Sequence, residues 1–353
     1  MVKVKNIKFY ETKFESDNKN FQECLRYVKM MTSDYKTVMP KNPKQSVSFE
    51  LTDASSALAN CIRRYLIDEI PSYSMDVDEE NIKTDDRFIL TDFLKKNIEM
   101  VPFTQDISES DVSNITLSLS VENTTDDIID VYTRDLIIHN KTKKLEISDY
   151  VTTTISLIKL RPATKLDITN IKLVKGIGKE NSGKFSPLAN ISYEIIDVEP
   201  VVENKFSKKG ESSLNSSPSH FRIGFTTHRN RNAKEILPLC CELIINTITG
   251  ILSDVKKIKE TDKIYLSKLI TLETKGDVKY FHFKGEYWTI SNIISKYCYL
   301  VYNDVQFVCS AVNHPLTEES TVKIRHNASV KLLHEALELI IADVNSVKKQ
   351  FES

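Results

Sequence analysis

Hydrophobic positions repeat along the chain in two segments that align without a gap. The segment Phe49–Tyr65 matches Phe281–Tyr297 at a constant offset of 281 − 49 = 232 residues. Each copy begins with apolar residues two apart, as in a strand, and continues with apolar residues three and four apart, as in a helix. The pattern therefore predicts an α+β fold in which one structural unit occurs twice.

A long apolar helix is predicted after each copy. Pro238 suits a first helical turn, and an apolar stripe then continues to Ile258. Ser329 is the predicted N-cap of the second helix, whose stripe ends at Phe351. Both stripes are too wide for a lone surface helix, so we expect the helices to pack on each other; packing of each on its own domain is the alternative. The predicted dimerisation core comprises Leu58, Ile62, Tyr65, Leu66, Leu243, Ile244, Ile248, Ile290, Ile294, Tyr297, Leu333, Leu337, Ile340 and Val344.

Between the copies, alternating apolar and polar residues are typical of half-buried strands. Strands are predicted at Ile115–Val121, Val131–His139, Tyr150–Leu160, Ile168–Val174 and Phe221–Phe225, with a short helix at Arg87–Ile98. The polar, Ser-rich segment Phe206–Ser219 predicts a disordered surface loop.

These patterns predict a domain inserted into the first unit. The predicted parts are an N-terminal extension at 1–45, a split first dimerisation unit at 46–74 and 205–262, an inserted mostly-β domain at 75–204, and a continuous second dimerisation unit at 263–353.

Composition is that of an ordinary soluble globular protein, with 353 residues, 41% hydrophobic residues and a net charge of −1. No overall basic field favours nucleic-acid binding. Residues 1–45 differ, with 10 Lys and Arg against 5 Asp and Glu, an excess of 10 − 5 = 5. This excess predicts a solvated basic arm, with contact to nucleic acid or an acidic partner as the alternative.

The sequence offers no pattern typical of catalysis, metal binding or a cofactor. We expect no signal peptide and no membrane span, and hence a reducing compartment. The six cysteines show no paired spacing. The nearest zinc candidate, Cys298 with Cys309 and His314, lacks a second close pair. The run Lys175–Lys179 lacks the spacing of a phosphate-binding loop.

An ordered set of motifs resembles a known family. Asn60, Arg63 and Arg64, followed by Glu69-Ile70-Pro71, resemble the N-x-x-R-R…E-I-P signature of the α-like subunits of multisubunit RNA polymerases. This family comprises the third subunit of eukaryotic polymerase II and its archaeal and bacterial α counterparts. Similar motifs follow in order at Asp85–Ile89, Val131–Leu136 and Lys175–Pro187, and the C-terminal unit is similar to the eleventh subunit and its archaeal counterpart at Thr289–Ile294 and Val312–Leu316.

The resemblance implies a non-catalytic assembly platform whose two units form an intramolecular pseudo-dimer. The implied partners are the largest, second-largest and small polymerase subunits, with template DNA contacted only indirectly, no membrane and no required homo-oligomer. A fusion of the two subunits resembles those of large double-stranded DNA viruses, which implies a cytoplasmic viral factory and the virion, with the nucleus as the alternative. The implied partner-binding residues are Asn60, Arg63, Arg64, Arg134, Asp135, Lys175, Gly176, Gly178 and Lys179.

Two other function classes remain open. One is a nucleic-acid-binding protein that uses the basic N-terminal arm, which salt-dependent DNA binding would favour. The other is an independent enzyme, which a pocket with strongly shifted pKa values would favour.

Overall fold

A computed structural model describes residues 2–12, 44–104, 107, 112–140, 145–151, 154–196, 219–227, 231–285, 288–302, 304–314, 316–317 and 319–352. Within these ranges the fold is a mixture of helices and antiparallel sheets. The helices are α1 (Ser56–Asp68), α2 (Thr91–Glu99), α3 (Ile147–Tyr150), α4 (Ser182–Phe185), α5 (Ala233–Val255), α6 (Trp288–Val301) and α7 (Ser329–Glu352). The strands are β1 (Lys3–Thr12), β2 (Lys44–Thr52), β3 (Ser72–Asp76), β4 (Ile82–Thr84), β5 (Ile115–Glu122), β6 (Ile129–Tyr132), β7 (Ile137–Asn140), β8 (Ser156–Leu160), β9 (Lys165–Gly176), β10 (Leu188–Ile195), β11 (Phe221–Thr227), β12 (Ile264–Leu266), β13 (Ile270–Lys275), β14 (Val278–Lys284), β15 (Phe307–Ala311) and β16 (Glu319–Arg325).

Two sheets have matching strand orders. The first sheet runs β1-β2-β11-β10, and the second runs β12-β13-β14-β16-β15. Strand β2 ends at Thr52 and α1 begins at Ser56, whereas β14 ends at Lys284 and α6 begins at Trp288, so both boundaries recur 232 residues later. Apart from β12, each strand of the second sheet thus has a counterpart at the same place in the first.

One contiguous apolar core joins the two sheets and the four longer helices α1, α5, α6 and α7. Helix α5 packs directly against α7, and α1 packs against both α5 and α6. Every residue of the predicted dimerisation core belongs to this cluster, and all are buried except Leu243, which is partly buried. The two long helices therefore cover each other's apolar faces.

The predicted starts of the two long helices need correction. Helix α5 begins at Ala233, where the Asn232 side chain accepts the Lys234 N–H, so Pro238 lies inside the helix rather than in its first turn. Proline has no N–H, so Pro238 cannot donate the helical backbone hydrogen bond. Burial of Ala233 and Ile236, on the N-terminal side of the proline, extends the apolar face and offsets this loss.

At the other helix, Ser329 is already the first residue of α7. Its hydroxyl donates to the His326 carbonyl at 2.7 Å, so it does not act as the predicted cap. The cap comes from further away, because a Glu260 oxygen accepts the N–H groups of Val330 and Lys331 at 2.6 and 2.9 Å. A carboxylate at this helix end also suits the helix dipole.

The region between α1 and β10 has its own sheets and its own core. Strands β3-β9-β5-β7 form one sheet with β4 paired to β9, and β6 pairs with β8. A second apolar cluster lies under them. The predicted strand Val131–His139 is interrupted by a 3-10 turn at Thr133–Asp135, and Tyr150–Leu160 shortens to β8. The predicted helix Arg87–Ile98 begins only at Thr91.

Sheet membership differs from the predicted segments at two places. Strand β10 pairs with β11, although the sequence assigned residues up to 204 to the inserted domain. Strand β1 pairs with β2, although residues 1–45 were predicted to be a solvated arm. The loop predicted at Phe206–Ser219 lies outside the described residues except for Ser219.

Strand β1 is fixed to the last helix by a hydrogen-bonded clasp. The Val4 N–H donates to Gln350 Oε1 at 3.0 Å, and Gln350 Nε2 donates to the Val2 carbonyl at 2.9 Å. The Ser346 hydroxyl donates to the same carbonyl at 3.1 Å. Val2 itself is buried, so this end of the predicted arm is part of the folded core.

Among the described residues, α5 is the helix that is long and apolar enough to cross a membrane. The sequence pattern had predicted no such stretch. A single helix of this kind is weak support for a membrane span, since core helices of soluble proteins share the property. Here Ile244 and Ile248 of α5 are fully buried in the core shared with α7.

Truncation of the contact between the long helices should reveal their mutual burial. We expect Leu337→Ala to lower the free energy of unfolding by about 2–5 kcal/mol, because it removes a fully buried side chain. Leu243→Ala should cost less, about 1–2 kcal/mol, because this leucine is only partly buried. Urea unfolding of both variants measures the difference, and equal losses would contradict the described packing.

The clasp should control the opening of β1. We expect Gln350→Ala to raise amide hydrogen exchange in residues 2–12 by roughly tenfold, since each lost hydrogen bond is worth about 0.5–1.5 kcal/mol. Lys349→Ala, an exposed neighbour on the same turn, is the matched control and should leave the exchange unchanged. Equal exchange in the two variants would show that Gln350 does not hold the strand.

Candidate docking site at the end of helix α1

Helix α1 presents a buried face and a polar face. The Ser55 hydroxyl accepts the Leu58 N–H at 3.1 Å and caps the helix start. Leu58 and Ile62 point into the core, which leaves Asn60, Arg63 and Arg64 on the partly or fully exposed side. The predicted docking residues of α1 therefore share one helix face.

Both arginines have partners on their own helix. Arg63 donates to Asn60 Oδ1 from Nε and Nη2 at 3.1 and 2.9 Å. Arg64 Nη2 lies 2.6 Å from Asp68 Oδ2, while its side chain stays 44% exposed. These bonds orient two guanidinium groups at the surface and leave further N–H donors on each.

The loop after β9 closes onto the end of α1. A Cβ atom at Gly178 would lie 2.3 Å from the Ile67 carbonyl oxygen, so only glycine fits there. The Lys179 N–H donates to the Asp68 carbonyl at 2.9 Å, and Lys179 Nζ donates to the Gly285 carbonyl at 2.7 Å. This loop thus links the end of α1 to the turn that precedes α6.

The two other predicted residues of this segment, Lys175 and Gly176, lie at the end of β9. A Cβ atom at Gly176 would lie 2.4 Å from the Phe185 ring, so this glycine permits close packing. Lys175 lies opposite Tyr73 in the β3–β9 pair and lines a separate cavity of about 270 Å³ with Arg231. Of the predicted loop residues, Gly178 and Lys179 are those brought next to the arginines.

A cavity of about 280 Å³ lies where α1, this loop and α6 meet. Burial raises the pKa of the Glu69 carboxyl, with the nearby charges of Asp68 and Glu180 acting in the same direction and Lys179 opposing them. Both acidic and basic groups line the opening, which suits polar contacts with a protein surface. The lining residues are Arg64, Tyr65, Asp68, Glu69, Gly178, Lys179, Ser182 and Thr289.

Arg134 and Asp135 lie elsewhere, in the 3-10 turn between β6 and β7. Asp135 Oδ2 accepts the Tyr132 N–H at 2.8 Å, so this carboxylate caps the turn. The Arg134 guanidinium lies 4.8 Å from the centre of the Tyr132 ring. The structure therefore gives Asp135 a local structural role and keeps these two residues apart from the α1 site.

Within the described ranges the cysteines form no disulfide; Cys61, Cys240, Cys241 and Cys298 are buried in the core, and Cys309 is partly buried. Burial raises the pKa of Cys241 to about 12, and that of Cys298 to about 12. Such thiols are poor nucleophiles and poor metal ligands at neutral pH. No cluster of three or more His, Cys, Asp or Glu side chains that could hold a metal occurs in the part of the chain the structure describes.

Sequence reasoning missed the residues that complete the site. Glu69 was noted only as part of a motif, and Ser182 and Thr289 come from other elements. Their convergence depends on the close approach at Gly178. The glycine at this position was the available signal, but spacing alone does not show which helix end it meets.

Comparison with known proteins extends over most of the chain. No protein-family model matches it. The chain is 25% identical over 328 residues to a protein of African swine fever virus named DNA-directed RNA polymerase RPB3-11 homolog, which covers 87% of this chain and 88% of the relative. It is 28% identical over 179 residues to DNA-directed RNA polymerase II subunit rpb3 of Dictyostelium discoideum, covering 46% of this chain and 58% of the relative. The corresponding protein of Schizosaccharomyces pombe is 27% identical over 173 residues, or 43% of this chain and 56% of its own. These relatives confirm that the chain resembles a fused α-like RNA polymerase subunit, with parts similar to the third and eleventh subunits.

Proposed function

We propose that this chain is the assembly platform of a DNA-directed RNA polymerase built from several subunits, and that it docks the two large catalytic ones. The relatives support the polymerase assignment, since the viral one aligns with 87% of the chain. The observation that carries the platform assignment is the repeated unit. Two sheets of matching strand order share one core through four helices.

In this proposal the two units are α-like dimerisation units that form an intramolecular pseudo-dimer. The first consists of β1, β2, α1, β10, β11 and α5, and the second of β12 to β16 with α6 and α7. Residues 69–187, between α1 and β10, are the inserted mostly-β domain. The separate apolar cluster of this region supports its treatment as a domain.

Covalent linkage suits a platform because it makes pairing intramolecular. A short linker between two modules gives an effective concentration in the mM range. The connection between α5 and the second sheet also helps to hold the two units together. Its residue Glu260 caps α7 and accepts a hydrogen bond from Lys279 Nζ at 2.6 Å. The platform would then present its docking surfaces in a fixed arrangement without requiring a second copy of the chain.

The polar face of α1 is the proposed contact with the second-largest subunit. A guanidinium group carries five N–H donors in a planar fork that matches carboxylates and backbone carbonyls. Arg63 and Arg64 have donors beyond those bound within the helix, and Lys179 lies beside the same cavity. A partner with carboxylates at this surface would meet prealigned cations.

The remaining roles follow from the same proposal. The chain supplies no catalytic residue, contacts template DNA only indirectly, and binds the largest and the small subunits through other surfaces. Because relatives that cover most of the chain are viral, we place the action of this chain in a cytoplasmic viral factory and in the virion. The nucleus is the alternative location.

A nucleic-acid-binding protein is the second candidate. It is favoured by exposed lysines on β1, among them Lys5 and Lys8. Lys3 is less suited to this role because it pairs with Asp53 at 3.2 Å.

Replacement of both arginines should separate docking from folding. We expect Arg63→Ala/Arg64→Ala to keep its melting temperature within a few degrees, because an exposed ion pair such as Arg64–Asp68 contributes about 0–1 kcal/mol and Arg63 bonds only to Asn60 of its own helix. Co-purification with the second-largest polymerase subunit should be lost, since truncation of one side of a desolvated charge pair costs about 2–5 kcal/mol. Tagged chains expressed with the other polymerase subunits provide the measurement.

The matched control is Lys5→Ala/Lys8→Ala, which also removes two exposed cations. The platform proposal expects this control to retain the second-largest subunit. The nucleic-acid-binding alternative is favoured by a different result. In that case both variants co-purify with the second-largest subunit, and the lysine variant has lost the salt-dependent DNA binding of the isolated chain. If the arginine variant unfolds, Arg63 and Arg64 stabilise the fold and the docking role is not supported.

A further inference from the structure

Exposed apolar side chains cluster beside α2, in the region between α1 and β10. Phe88 is 71% exposed, Phe93 is 58% exposed and Ile128 is 61% exposed. Single exposed apolar residues are common, but a contiguous group around a concave surface is typical of interaction sites. None of these side chains contributes to the docking site at α1.

These side chains border a groove of about 430 Å³, here called the α2–β8 groove. Its base includes Leu157, which is 1% exposed. Asn97 of α2 donates from Nδ2 to the Leu157 carbonyl at 2.8 Å, which holds the helix and the strand at a fixed distance. The groove is therefore formed before any ligand arrives, which reduces the entropy cost of binding.

The lining of the groove includes two cations. They are Lys159 and Arg161, and the Arg161 guanidinium lies 3.5 Å from the centre of the Phe88 ring. The lining carboxylate, Asp86, is 4% exposed and is engaged internally. Its oxygens accept the N–H groups of Phe88 at 3.0 Å and Arg161 at 3.3 Å.

Lys159 lies opposite Asp130 in the β6–β8 pair, and the Asp130 carboxylate accepts the Ser156 hydroxyl at 3.0 Å. Arg161 has no carboxylate partner within the described ranges. A guanidinium stacked on an aromatic ring keeps its in-plane N–H donors available to an anion.

We propose that the α2–β8 groove binds a segment of another subunit of the same polymerase, in which a large apolar side chain lies next to an Asp or Glu. The apolar side chain fills the space between Phe93, Ile128 and Leu157, and the carboxylate meets Arg161. This inference rests on the proposed function. A nucleic-acid strand fits less well, because backbone binding uses a row of cations.

Site-specific photo-crosslinking tests the occupant directly. Phe93 is replaced by p-benzoylphenylalanine in the full chain, which is expressed with the other polymerase subunits and irradiated as the purified complex. We expect one major crosslink, to a polymerase-subunit peptide that carries a large apolar residue within two positions of an acidic one. Mass spectrometry of the digested product identifies the peptide.

Charge reversal provides the matched comparison. When Arg161→Glu is combined with the crosslinking residue at position 93, the crosslink yield should fall by about tenfold, as expected when a central interface contact is lost. Lys83→Glu, the same charge change at an exposed residue outside the groove, should leave the yield unchanged. The melting temperatures of both variants check that the fold is intact.

The outcomes separate the groove from the platform. Three outcomes overturn the groove proposal alone, provided that the complex retains the chain. They are the absence of a crosslink, a crosslink to nucleic acid, and a crosslink to a peptide that has no acidic residue near its apolar one. A chain that does not co-purify with the large polymerase subunits overturns the proposed function, and the groove proposal with it. If Arg161→Glu and Lys83→Glu change the crosslink yield equally, the proposed contact between Arg161 and a carboxylate is wrong.

Discussion

The structure depends on the contact between α5 and α7. Ile244 and Ile248 on one helix and Leu333 and Leu337 on the other are fully buried in one cluster. A helix whose apolar residues cover a wide arc is not stable alone in water, because one neighbouring sheet cannot cover them all. Each strand–helix unit therefore completes its burial only in the presence of the other. The remaining elements are arranged outward from this shared core.

Polar contacts between distant parts of the chain reinforce the same arrangement. Gln350 at the end of α7 binds the backbone of Val2 and Val4, and Glu260, just after α5, caps the start of α7. Gln350 accepts the Val4 N–H and is a second donor, beside Ser346, to the Val2 carbonyl, and Glu260 accepts two N–H groups in the first turn of α7. These contacts add little net energy compared with the apolar core, but they fix the position of α7 along its axis.

Local periodicity was sufficient to predict the elements that bury one face. The 232-residue offset matched both the strand ends and the helix starts, and the predicted core residues all belong to the central cluster. Features that depend on distant partners were not predictable in this way. The position of β1 depends on its contacts with α7, and the position of Pro238 within α5 depends on the cap at Asn232. The close approach at Gly178 depends on the end of α1. The two adjacent arginines were found from sequence, but their partners on the same helix were not considered.

The region between α1 and β10 carries the α2–β8 groove and is joined to the shared core by the chain at its two ends. A connection at these two points alone would permit rotation of the region relative to the core. Lys179 opposes such rotation, because its N–H donates to the Asp68 carbonyl at the end of α1 while its Nζ donates to the Gly285 carbonyl before α6. The region between α1 and β10 thus contacts both α1 and the turn before α6 beside the helix face that carries Arg63 and Arg64. A partner that binds at this junction would therefore contact the shared core and, through the loop after β9, the region that carries the groove.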